Sequence, residues 1–267
     1  MDKELENLFP ASLQQATFEH FGPQALGMIL LKQQTTGKGP APLLPGPAAK
    51  LLHPNETAQA GAYTLAKRRS EFVTGRICAK LAVGEFLAAK DSLPALAPST
   101  VEIVNASTGR PFVNLITSTG SGNRPQPEIS ITHGGAYGAA MATDDPCGID
   151  LQEQKDTLLR VMDKYCTAGE FRTLQTSLPD MGQLTRLSLL WAAKEAAKKA
   201  LSYWRMPGFL DLELTLPVLK PAGCFAFSLV VRHHRLPGKI TVLATPFDQY
   251  GLAVCILKEA RSHAGIT

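Results

Sequence analysis

The residues best placed to do chemistry are acids and bases at fixed spacings. In GIDLQ, residues 148–152, alternation along a strand puts Asp150 and Gln152 on one face and Ile149 and Leu151 on the other. A carboxylate and an amide oxygen two residues apart suit a hard cation such as Mg²⁺, which takes oxygen ligands and keeps several waters. A solvated strand face is the plainer alternative. In WAAKEAAKKAL, residues 191–201, Trp191, Glu195 and Lys199 follow one another by one helical turn and share a side. That pattern is either an ordinary surface Glu–Lys pair or an acid and a cation presented together. Lys194 and Lys198 form a second row, readable as a solvated face. A basic helix of this kind could also touch nucleic acid, but the interleaved aromatics that base stacking needs are missing.

A second basic group lies upstream. At about 100° per residue, Leu65, Phe72, Val73, Ile77, Val83 and Leu87 form one broad apolar face, and Arg69, Arg76 and Lys80 fall inside it. Cations in an apolar stripe either snorkel from a surface helix or line a groove that holds an anion such as phosphate. Arg68 flanks the group. His133, in SITHGGAYGAA, precedes two glycines that would let backbone amides approach phosphate oxygens; a structural histidine is the alternative. TGRPF, residues 108–112, could be no more than a turn. GxSxG, Walker and GxGxxG patterns are absent.

Elements must position these groups. A chain of 267 residues suits one large domain or two small ones, at roughly 100–200 residues each. Apolar residues at 45% and charged residues at 19% describe a globular protein. No apolar run reaches the roughly 18 residues of a membrane span, and MDKELENLF has no secretory pattern. Five scattered cysteines without a CxxC pair exclude a complete disulfide framework and a cysteine zinc site, and suit a reducing cytoplasm. A net charge of +4 admits an anionic ligand without requiring nucleic acid. Residues 37–50 read as a proline- and glycine-rich loop and 117–128 as a second break. Long helices are expected over 62–90 and 183–204. Strands are expected at EISIT, YGAAMAT, CGIDLQ, DLELTL, CFAFSLVVR, KITVLAT and YGLAVCILK. Links in the tail are too short for helical crossovers, so the sheet should be largely antiparallel.

The series RRSEFVTGR at 68–76, GRP at 109–111, SITH at 130–133, GID at 148–150 and WAAKEAAKK at 191–199 resembles the 4′-phosphopantetheinyl transferase superfamily. It is most similar to the long single-chain branch that serves peptide synthetase, polyketide and siderophore pathways, the enterobactin-pathway type in particular. The resemblance spans residues 62–200. It implies an α/β (α+β) fold of two pseudo-symmetric halves, 1–145 and 146–267, each a largely antiparallel sheet with a long helix, with coenzyme A at their interface. It implies a cytoplasmic monomer of secondary metabolite biosynthesis. Such an enzyme moves the 4′-phosphopantetheine arm to a serine of an apo acyl or peptidyl carrier protein, with Mg²⁺. Asp150, Glu195 and Gln152 would hold the metal, and Lys199 would stabilise or protonate the departing phosphate. Arg68, Arg69, Arg76, Gly109, Arg110, Pro111, Thr132, His133 and Lys199 would contact the coenzyme. Many relatives carry a third acid where this chain has Gln152, whose amide cannot accept the serine proton. Glu195, a metal-bound water or His133 would then serve as base, since Glu153 should face the other way. A non-catalytic coenzyme A or carrier-binding relative is the alternative.

Overall fold

The computed structural model describes residues 5–33, 47–90, 96–115, 126–232, 236 and 238–258. The expected loop and break at 37–50 and 117–128 lie largely outside them. The chain divides into two units: Met1–Phe9 with Pro23–Asp144, and Pro10–Gly22 with Asp145–Thr267. The division follows Asp144, and 10–22, placed by sequence with the first half, packs instead with the second unit.

In the amino-terminal unit, β1 (Leu26–Lys32), α2 (Pro54–Ala62) and α3 (Ala66–Lys90) are followed by β2 (Val101–Asn105), β3 (Pro111–Leu115), β4 (Glu128–Gly134) and β5 (Tyr137–Thr143). The antiparallel order is β1-β5-β4, with β2-β3 as a separate hairpin. The helix α3 lies on this sheet because Val73, Ile77, Ala79, Ala82, Val83 and Phe86 are buried against Ile29, Leu31, Ala140 and Ala142. It starts four residues later than expected, and Leu65 stands exposed before it.

The carboxy-terminal unit holds α1 (Ala11–Phe21), β6 (Cys147–Glu153), the short α4 (Thr157–Arg160), α5 (Ala168–Ser177), α6 (Gln183–Leu201), β7 (Leu212–Leu219), β8 (Phe225–Val231), β9 (Lys239–Phe247) and β10 (Tyr250–Ile256). Its sheet is continuous and antiparallel, in the order β6-β10-β9-β8-β7. The helix α6 packs on β6, β10 and β9. Among the described residues, no helix is long and apolar enough to cross a membrane.

The two units repeat one plan. Each runs strand, two main helices, then four strands, and each contains a buried ion pair in the same place. Lys80 Nζ lies 2.8 Å from Glu56, and Lys194 Nζ lies 2.7 Å from Glu170. Each lysine follows its glutamate by 24 residues (80 − 56; 194 − 170). Both glutamates close capping boxes, with His53 and Thr167, and both accept a strand N–H, from Ile103 at 2.9 Å and Leu214 at 2.7 Å. Such buried charges persist because each lone pair and proton finds a partner. Two residues beyond each lysine, the helix backbone meets a glycine. A Cβ on Gly27 would lie 1.9 Å from the Ala82 carbonyl oxygen, and one on Gly148 would lie 1.8 Å from that of Ala196. Close helix–sheet contact therefore requires glycine at both positions.

Candidate active site

The carboxy-terminal unit places the acids. The glycine contact brings α6 directly over β6, so the Gly148–Asp150–Gln152 face is covered rather than solvated. Asp150 is only 7% exposed. Lys199 Nζ lies 2.8 Å from Asp150 Oδ1 and donates to the Ile149 carbonyl at 2.8 Å. Glu195, one turn earlier on α6, pairs with Lys198 rather than Lys199, Nζ to Oε1 2.7 Å. The surface Glu195–Lys199 pair allowed by sequence is thus replaced by two separate pairs from adjacent lysines.

Lys194 does not sit on a solvated face. It is fully buried, donating to the Tyr165 carbonyl at 2.6 Å and pairing with Glu170. Desolvation lowers its pKa, and Glu170 opposes that shift. Trp191 packs against Tyr165 and Phe209, with ring centroids 4.8 and 4.6 Å away.

Gln152 Nε2 donates to the Glu153 carbonyl at 2.9 Å. Glu153 points to the other strand face and pairs with Lys155 at 2.5 Å. Among the described residues, no three His, Cys, Asp or Glu side chains gather as a metal cluster. Two carboxylates and an amide oxygen still fit Mg²⁺, which is commonly bound through one or two carboxylates plus substrate phosphates. The residues that would hold it are Asp150, Glu195 and Gln152.

The amino-terminal unit places the cations around a cavity of about 310 Å³. Its walls include Arg68, Glu71, Phe72, Arg76, Gly109 and His133. It opens where the sheet is split, between β4 and the β2–β3 hairpin, beside α3. The hairpin turns through Gly109, whose φ of 83° favours glycine.

Arg76 is 6% exposed. Its Nη2 donates to Asn105 Oδ1 at 3.3 Å, its Nε has no partner, and its guanidinium lies 4.7 Å over the Phe72 ring. Burial lowers its pKa, with Glu56 and Tyr63 opposing. A buried guanidinium donor left over beside a cavity fits an anionic guest. Arg68 Nη1 is 3.0 Å from Glu71 Oε2, and His133 Nδ1 is 3.8 Å from the same oxygen.

Several expected contacts fall elsewhere. Pro111 lines the cavity, but Arg69 donates to the Tyr63 carbonyl at 2.8 Å and Arg110 pairs with Glu128. Thr132 alternates away from Ile131 and His133 on β4 and is buried. Lys80 neither snorkels nor lines the cavity: Glu56 and the Pro98 and Val101 carbonyls take its charge. Glu71 was missed by sequence reasoning, although it stands in RRSEFVTGR at i+3 from Arg68.

Residues 146–255 match the family model for the 4′-phosphopantetheinyl transferase superfamily. No curated protein matches the chain. The matched segment contains β6, α6, Asp150, Gln152, Glu195 and Lys199, so the similarity to that superfamily falls on the carboxy-terminal unit.

Proposed function

We propose that this protein transfers the 4′-phosphopantetheine arm of coenzyme A to a serine hydroxyl of an apo acyl or peptidyl carrier protein, releasing adenosine 3′,5′-bisphosphate. The observation carrying this reading is the Lys199–Asp150 contact between the GID strand and the KE helix, within the segment that matches the family. We place the protein in the long, single-chain branch, as a cytoplasmic monomer serving secondary metabolism.

Asp150 and Glu195, with the Gln152 oxygen, are assigned to Mg²⁺, which when bound would offset charge on the pyrophosphate. Lys199 is held between the Asp150 carboxylate and a strand carbonyl. From there it can stabilise charge on the departing phosphate, or supply its proton, as the serine–phosphorus bond forms and the pyrophosphate P–O bond breaks. Arg68, Arg76 and His133 are assigned to coenzyme anions, with Gly109 and Pro111 along the nucleotide. Arg69 bonds the Tyr63 carbonyl, Arg110 pairs with Glu128 and Thr132 is buried, so these three are not assigned to the coenzyme. The serine proton needs an acceptor, and Gln152 cannot provide one. Glu195 and His133 are the candidates among the site side chains.

The test is incubation with coenzyme A, Mg²⁺ and apo carrier proteins. The carrier should gain ~340 Da in a metal-dependent manner. Tight coenzyme binding with no mass gain on any of several carriers would instead favour a non-catalytic relative.

A further inference from the structure

Lys198 has two partners at once. Its Nζ is 2.7 Å from Glu195 Oε1 and 3.9 Å from the Phe209 ring centroid. Its side chain is 13% exposed, against 22% for Glu195, so neither charge is fully solvated. The ring is fixed by Trp191 at 4.6 Å and Tyr165 at 6.2 Å. Lys199, the next residue, turns about 100° around the helix and pairs with Asp150. In the repeated plan, the position matching Lys198 is Gly84, four residues beyond the buried lysine in each helix (84 − 80; 198 − 194). The lysine therefore belongs to the half that carries the acids.

We infer that Lys198 is a displaceable counter-ion of Glu195, a positioning residue that sets how tightly a divalent cation is held. This rests on the assignment of Glu195 to the metal. With no cation bound, Lys198 neutralises a carboxylate that is partly withdrawn from water and keeps it in one orientation. When a cation binds Glu195, Lys198 becomes a like charge at close range and opposes it. It need not return to bulk water, because the Phe209 face offers a second favourable seat. Lys198 thus holds the site ready while limiting its affinity.

The test measures Mn²⁺ binding to the full chain by electron paramagnetic resonance, with and without coenzyme A, for wild type, Lys198→Met and Lys198→Arg. The Met variant keeps an apolar stem against Phe209 and loses the charge. Its dissociation constant for Mn²⁺ should fall about tenfold, while the Arg variant stays within about twofold of wild type. Thermal melting confirms that each variant is folded. Unchanged or weaker Mn²⁺ binding by folded Lys198→Met overturns the inference, even if wild type binds metal and transfers the arm. Wild-type protein that binds no Mn²⁺ in either series overturns the metal assignment, and the inference with it.

Discussion

Lys199 Nζ lies 2.8 Å from Asp150 Oδ1, joining two residues 49 positions apart in the chain. The contact depends on backbone proximity, since Gly148 lets α6 approach β6 closely enough for a lysine to reach a strand carbonyl as well. The ion pair and the packing are coupled here through one missing Cβ.

Gly148→Ala should therefore damage both. A methyl group 1.8 Å from the Ala196 carbonyl oxygen cannot be relieved by a side-chain rotation. Overpacking of this kind costs about 3 kcal/mol, so the melting temperature should drop by several degrees. Residual transfer by the folded fraction should fall as well. Differential scanning calorimetry with a carrier-modification assay measures both, and a variant with wild-type melting and turnover would contradict the helix–strand geometry.

Glu195→Ala should abolish transfer while the protein stays folded. Glu195 is only partly buried and its partner, Lys198, retains the Phe209 ring, so the fold loses little. Turnover should fall by at least about 1,000-fold. Circular dichroism and carrier mass spectrometry would separate the two effects; unchanged turnover would show that the metal assignment is wrong.

Gln152→Glu should strengthen divalent cation binding. It adds a third carboxylate on the covered face of β6 where an amide now stands. Mn²⁺ affinity measured by calorimetry should rise about tenfold. A loss of affinity would place residue 152 outside the metal site.

Lys194 should leave a signature in stability at alkaline pH. Desolvation holds its folded-state pKa below the ordinary value of 10.5. Between the lowered and ordinary values the unfolded chain binds more protons, so the contribution of this group to stability rises as pH increases through that window. Lys194→Met should remove this rise and leave Glu170 buried without its cation, at a cost of about 3 kcal/mol or more. Urea titrations from neutral to alkaline pH, on both proteins, would reveal the difference; parallel profiles would refute the assignment.

All five cysteines are free and buried, and burial raises the thiol pKa of Cys255 to about 12 and of Cys166 to about 11. Native protein should therefore resist a thiol-specific chromogenic reagent at pH 8 and release five equivalents only on unfolding. Rapid reaction of any thiol in the native state would contradict this burial.

Much of the strand pattern is local and was legible. YGAAMAT becomes β5 with its ends unchanged, and CGIDLQ gains only Glu153. The alternation that separates Asp150 from Ile149 follows from the two-residue period of an extended chain. The weaker elements escaped: β1, LGMILLK, is an unbroken apolar run whose burial on both faces hides the period of a strand. The expected start of α3 was misplaced because nothing in 62–65 reveals that α2 ends at Ala62.

The sequence by itself determined which residue types were available and their order: GID, KE and the arginine-rich helix. Tertiary structure decided what each touches. Ile29 and Leu31 stand in β1 where Asp150 and Gln152 stand in β6, and Glu85 bonds the Met28 N–H where Lys199 bonds the Ile149 carbonyl. The two halves share this frame of glycine contacts and buried Lys–Glu pairs, yet where the second has Asp150 and Glu195 the first has Ile29 and Leu81. Three lysines in one short helix segment separate just as sharply: Lys194 into the core, Lys198 onto Glu195 and Lys199 onto Asp150. Helical spacing fixes the direction of a lysine to within a turn. Its partner depends on which carboxylate another segment brings within reach, and that is settled only when the chain packs.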